Sequence, residues 1–191
     1  MLFKILMLLG APIVIMALCT RPAFALAMDA EQNYQKGLEL YLKCEKEKDP
    51  TGAAVFFKQA AEQGHSDAAF GLGVLYQNGE GVAQNIPEAV KWYTKAAFDN
   101  HAKAQFNLGH LLFEGIGITR DQSTAVSWFQ KAADQGYAKA QYKVGCAYLT
   151  GEGVPQNQTL AIAWLDRAAT QGDKEAIHTL KLVRELHASK S

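Results

Sequence analysis

Residues 79–97 read GEGVAQNIPEAVKWYTKAA, and residues 151–169 read GEGVPQNQTLAIAWLDRAA. Midway between them, residues 115–133 read GIGITRDQSTAVSWFQKAA, so the interval is 36 residues. It holds without insertion along most of the chain. Trp92, Trp128 and Trp164 share a phase, as do Gly73, Gly109 and Gly145 and the pairs Ala60-Ala61, Ala96-Ala97, Ala132-Ala133 and Ala168-Ala169. A fixed period of this length marks a solenoid, whose units bury their apolar faces only against one another.

Each unit reads as two helices. In AKAQFNLGHLLFEG, Ala104, Leu108 and Leu111 or Leu112 recur at three- and four-residue spacing; in TAVSWFQKAADQG, Ala125, Trp128 or Phe129, Ala132 and Ala133 do the same. Strand alternation is absent. The pairs Gly79/Gly81, Gly115/Gly117 and Gly151/Gly153 end the first helix, because glycine enters the left-handed region without a Cβ penalty. Asp49, Asn85, Asp121 and Asn157, all in one phase, start the second by accepting from the orphan amides of its first turn. Pro50 and Pro87 fall at the first and second helical positions, and Glu88 is expected to close a capping box with Asn85. Small residues at Ala68, Gly73, Ala96 and Ala97 let paired helices approach, and Leu72, Tyr76, Trp92 and Tyr93 fill the space around them.

The expected organisation is a signal peptide at 1–27, a degenerate first unit at 28–65, units at 66–101, 102–137 and 138–173, and a capping helix and tail at 174–191. Residues 1–27, MLFKILMLLGAPIVIMALCTRPAFALA, place Lys4 before an apolar run and end in small-x-small triplets, which predicts export with cleavage after Ala27. A retained membrane anchor and a lipoprotein attached at Cys19 are the alternatives; the membrane is a partner only if this segment stays. The expected location is the periplasm of a bacterium, with secretion as the other possibility.

Composition narrows the function. The chain is 49% hydrophobic and 20% charged, with 19 basic and 19 acidic residues. With no basic run, it lacks the field that nucleic-acid binding needs. Cys44 and Cys146 sit in the first and fourth units, too far apart for the Cα separation a disulfide requires. Ser66, Ser123 and Ser127 are not followed by lysine at the third position, and neither HExxH nor a phosphate-binding loop occurs. His65 and His101 lie one unit apart, on the order of 10 Å, which two ligands of one zinc cannot span; they read as loop residues. Asn157-Gln158-Thr159 matches a glycosylation sequon, but Asn157 is already assigned as a cap. No cofactor or metal is expected.

AAFGLGVLYQNGEGV followed by AVKWYTKAAFDN resembles the Sel1-like repeat, a relative of the tetratricopeptide repeat, and the likeness runs over about residues 30 to 180. Asn100 in place of glycine, Ile118 in place of valine and the weak first unit depart from the pattern. The resemblance implies a right-handed all-α solenoid of antiparallel helix pairs that serves as a non-catalytic platform for other proteins in the cell envelope. A cysteine-rich branch of the family, connected with penicillin binding and β-lactamase activity, supplies a second reading, and a secreted host-interaction effector a third. The positions that would carry that branch's cysteines are alanines here, Ala61, Ala97, Ala133 and Ala169 with Ala68, Ala104, Ala140 and Ala176.

If tetratricopeptide geometry transfers, one face of each first helix lines a concave groove. That places Tyr34, Phe70, Phe106 and Tyr142 in a ladder, with packing between neighbouring first helices as the competing role for the same rings. His110, Phe113 and Leu149, which the units do not share, are the candidates for specificity. On the groove reading, removing Phe106 and Phe113 together would leave the fold intact.

Overall fold

A computed structural model of the chain describes residues 28–43 and 47–188. The signal-peptide expectation for 1–27 and the reading of Cys44 lie outside the described residues. Nine helices and no strand occur among those described: α1 (Ala30–Tyr41), α2 (Pro50–Glu62), α3 (Ser66–Asn78), α4 (Ile86–Phe98), α5 (Ala102–Glu114), α6 (Gln122–Asp134), α7 (Ala138–Thr150), α8 (Gln158–Thr170) and α9 (Lys174–Ala188). Each helix packs on the next in sequence, pair after pair, to give an all-α solenoid. Among the described residues, no helix is long and apolar enough to cross a membrane.

The even helices begin where the polar phase predicts. The carboxylate or amide oxygen of Asp49, Asn85, Asp121 and Asn157 accepts from the backbone N–H three residues on, at 2.8, 3.1, 3.0 and 3.0 Å. The capping box at Asn85 does not form. The Asn85 N–H already donates to the Tyr76 carbonyl at 2.9 Å, and the Glu88 carboxylate turns to Lys91 instead. The same backbone bond recurs from Asp49, Asp121 and Asn157 to Leu40, Leu112 and Tyr148, so it ties the end of each odd helix to the start of its partner. A complete capping box stands at Asp29 and Gln32 instead.

Inside a pair, the repeated glycine sets how closely the helices approach. A Cβ on Gly73 would lie 2.7 Å from the Tyr93 ring, and one on Gly109 would lie 2.8 Å from Phe129. The turn glycines do more than end a helix. Gly81 has φ +69°, and a Cβ there would lie 2.2 Å from the backbone of Pro50, the first residue of α2. Gly117 meets Ile86, and Gly153 meets Gln122, in the same relation. The second glycine of each turn is thus the point where one unit seats on the previous even helix.

Two glutamines hold successive units together from inside. Gln105 and Gln141 are buried. The Gln105 side-chain N–H donates to the Ala97 carbonyl at 3.1 Å, and its oxygen accepts from Gln135 at 2.7 Å. Gln141 repeats this with Ala133 at 3.2 Å and Gln171 at 2.8 Å. The equivalent residue one unit earlier is Ala69, which has no amide. There Lys95, reaching from α4, donates to the Ala61 carbonyl. These carbonyls also accept the backbone N–H of Gly64, Asn100 and Gly136, so the side-chain donors add a second bond that crosses the junction.

Candidate interaction groove

The odd helices share one face, and the aromatic phase lies on it. Tyr34, Phe70, Phe106 and Tyr142 are all half-buried. Each of the first three rests on a ring of its own even helix: Tyr34 on Phe57 at 5.9 Å between centroids, Phe70 on Tyr93 at 5.9 Å, and Phe106 on Phe129 at 5.6 Å. Each also meets the residue that opens the next odd helix. Tyr34 lies 4.2 Å from His65, Phe70 stacks on His101 at 4.7 Å, and Phe106 meets Tyr137 edge-on at 5.3 Å. Tyr142 packs on the second core cluster, which contains Leu165, Ala176 and Leu180.

The histidines are structural parts of this face, not loop decoration. His65 and His101 are the N-caps of α3 and α5. The Ala104 N–H donates to His101 Nδ1 at 3.1 Å, and His101 Nε2 lies 3.0 Å from the Asp67 carboxylate on α3. His65 makes the same pair of contacts, with Ala68 at 3.3 Å and Glu31 at 3.0 Å. Nδ1 must therefore be unprotonated and Nε2 must carry the hydrogen. Burial pushes the His101 pKa below the ordinary histidine value, against the pull of Asp67. The signal in the sequence was position: each histidine stands three residues before an alanine that recurs at the 36-residue period, where a cap accepts from N3. Burial likewise raises the Tyr34 hydroxyl, with Asp67 and Glu31 adding to it.

Three clefts open along the face. The first, of about 230 Å³, lies between Tyr34 and Phe70, is floored by Phe57 and Leu75, and has Asp67, His101 and Lys103 at its rim. The second, about 190 Å³, brings Phe106 and His110 together beside Gln77. The third, about 320 Å³, joins Phe106 to Tyr142 beneath Lys139 and Lys143. Phe113 and Leu149 line none of these three. Phe113 rests on Phe129 at 6.2 Å, and Leu149 packs on the second core cluster. Because Phe106 and Phe113 both touch Phe129, removing the two together strips core contacts as well as groove surface, so that pair of substitutions does not isolate binding. No cluster of His, Cys, Asp and Glu able to hold a metal occurs among the described residues. Cys146 is a free, half-buried thiol whose pKa burial raises.

Among the described residues, this face presents rings, amides and charges along a line. The family model for the Sel1 repeat matches residues 25–43, 45–65, 66–97, 102–137 and 138–173. A protective antigen present in uropathogenic Escherichia coli strains, with an SLR fold, is 40% identical with a TM-score of 0.76, over 79% of this chain and 32% of that one. A Sel1 repeat protein from Oxalobacter formigenes is 34% identical with a TM-score of 0.75, over 83% and 65%. The chain thus spans about a third of the first relative's length and just under two thirds of the second's. Helicobacter pylori cysteine rich protein B shares the fold at 22% identity and a TM-score of 0.56, over 70% of this chain and 96% of that one. No curated protein matches the chain. With five matched segments spread over most of its length and two structural relatives above 30% identity, the chain belongs to the Sel1 repeat family.

Proposed function

We propose that this protein is a non-catalytic adaptor that holds a segment of a partner protein in the groove of its odd helices, and that it does so in the cell envelope after export. Sel1 repeat proteins are typically protein-interaction scaffolds, and the observation that carries the reading here is the row of clefts. The first two, about 230 and 190 Å³, are smaller than the ~300–1,000 Å³ of most small-molecule sites and the third, about 320 Å³, stands at the bottom of that range; each has half-buried aromatic rings in its wall, side chains that anchor protein interfaces. The 36-residue repeat spaces them along one face, so an extended chain or a helix can drop successive side chains into them. Export is supported by the apolar run and small-x-small triplets of residues 1–27. The relative that is a protective antigen fits the same setting.

A photocrosslinking amino acid at Gln77 or His110, on the groove, should capture the same partner from envelope extracts. The same group at Ser127 or Lys91, on the even helices, should not. Equal capture from the even helices would end the groove reading. Mass spectrometry of the mature N-terminus should show cleavage after Ala27, and an intact Met1 in the membrane fraction would replace export with anchoring.

A further inference from the structure

We infer that Gly71 opens the first cleft, between α1 and α3, as the seat for one uncharged aromatic side chain of the partner segment. This rests on the groove reading above and names the residue that decides what one of its clefts accepts. Glycine in the middle of a helix is unfavourable beside alanine, because it gives up more backbone freedom on folding. Gly37, Gly73, Gly109 and Gly145 offset that cost by close packing: a Cβ on any of them would lie 2.5 to 2.8 Å from a ring or leucine side chain of the paired even helix. Gly71 has no such reason. The three atoms nearest to a Cβ there all belong to the Phe57 ring, at 3.4, 3.5 and 3.8 Å, which is ordinary contact. At the same phase the other units carry Gln35, Asn107, Lys143 and Thr179, and Asn107 and Lys143 line the second and third clefts. A residue that breaks a local rule without a packing gain points to a site.

The missing side chain leaves an aromatic cleft. Tyr34, Tyr41, Phe57 and Phe70 line it together with Val74 and Leu75. Its volume of about 230 Å³ exceeds the ~150 Å³ of an apolar cavity that holds benzene and falls short of most small-molecule sites, so it fits one ring carried on a chain. The rim holds one charge of each sign, Asp67 and Lys103, beside a neutral His101 whose Nε2 lies 3.0 Å from the Asp67 carboxylate. With no net charge, the rim favours neither a cationic nor an anionic side chain. Aromatic rings pair with one another edge-to-face or offset in a way that an aliphatic chain does not, which selects a phenyl ring over leucine.

The test is NMR titration of the isotope-labelled mature chain proposed above with N-acetyl-phenylalaninamide, N-acetyl-leucinamide and N-acetyl-alaninamide. The phenylalanine amide should shift the backbone resonances of Gly71 and Val74 saturably. The leucine and alanine amides should bind about threefold and about tenfold more weakly. Gly71→Ala should raise the melting temperature by roughly 1–4 °C, because alanine favours the helix and its Cβ has room. Gly71→Leu, whose side chain reaches into the cleft, should weaken the phenylalanine amide about tenfold with helical circular dichroism unchanged. A melting temperature lowered by Gly71→Ala would make the glycine structural and overturn the inference. So would an unshifted wild-type spectrum, equal binding of the leucine amide, or undiminished binding to Gly71→Leu. If any of these occurs while crosslinks from Gln77 and His110 persist, the first cleft is not the anchor and the groove stands. If the crosslinks move to the even helices, the groove reading falls and the inference falls with it.

Discussion

His101 shows how much one side chain can join: it caps α5, stacks on Phe70 and reaches Asp67 on α3. A proton added to Nδ1 faces the Ala104 N–H and removes that cap. Because burial depresses its folded pKa, the unfolded chain takes the proton first, near pH 6.5. Stability is therefore complete above about pH 6.5 and declines as pH falls from there through the lower folded value. Urea denaturation between pH 7.5 and 5 should show a shallower loss for His101→Asn, which caps without titrating, than for the wild type; equal slopes would remove His101 from the pH dependence. Two glycines give a second residue-level contrast. Gly81→Ala meets the Pro50 backbone and a strained φ and should cost about 2–4 kcal/mol, whereas Gly64→Ala, with φ +94° and nothing within 4 Å, should cost only about 1 kcal/mol. Equal losses in chemical denaturation would mean that the seat on α2 carries no packing energy.

Between helices, the joints are polar as well as apolar, and this was hidden in the sequence. A glutamine inside an amphipathic helix reads as a solvent-facing residue, and nothing local marks Gln105 or Gln141 as buried. Only the approach of the preceding even helix, whose Ala97 or Ala133 carbonyl takes the side-chain amide, defines their place. Gln141→Leu keeps the volume but leaves the Gln171 amide without its partner and removes the side-chain bond to the Ala133 carbonyl, which should cost about 1–3 kcal/mol; a much smaller change in urea midpoint analysis would show that water replaces the amide. The groove aromatics follow the same rule. Their shared phase was legible, but both roles read for them are occupied at once: one side of each ring packs on the even helix or the next cap, and the other lines a cleft. That duality makes lysine and histidine positions on the rim better probes of binding than Phe106 or Phe113.

Over the whole chain, stability is a sum of pair energies and neighbour interfaces, so the ends are its weakest part. α9 covers the last even helix with buried Ala176, Leu180 and Val183, while its Ile177 and Leu182 remain exposed. Ending the chain after Asp173 should expose Leu165 and Ala168, and hydrogen exchange should then accelerate in α7 and α8 well before α3 and α4. Uniform acceleration along the chain would mean one cooperative unit without nearest-neighbour behaviour.

The period, the helix pairs, their polar starts and their glycine ends were all determined by the sequence itself, because each depends on residues within a few turns of one another. The seat of Gly81 on Pro50, the histidine link between α3 and α5, the substitution of Lys95 for a missing glutamine and the failed capping box at Asn85 were decided only by the tertiary structure. In the first three, residues 31 to 34 positions apart are brought into contact by the stacking of one unit on the next. In the last, Asn85 has already given its N–H to Tyr76 within the same pair. A repeat states its own fold locally; which groups meet across its joints depends on how the copies pack.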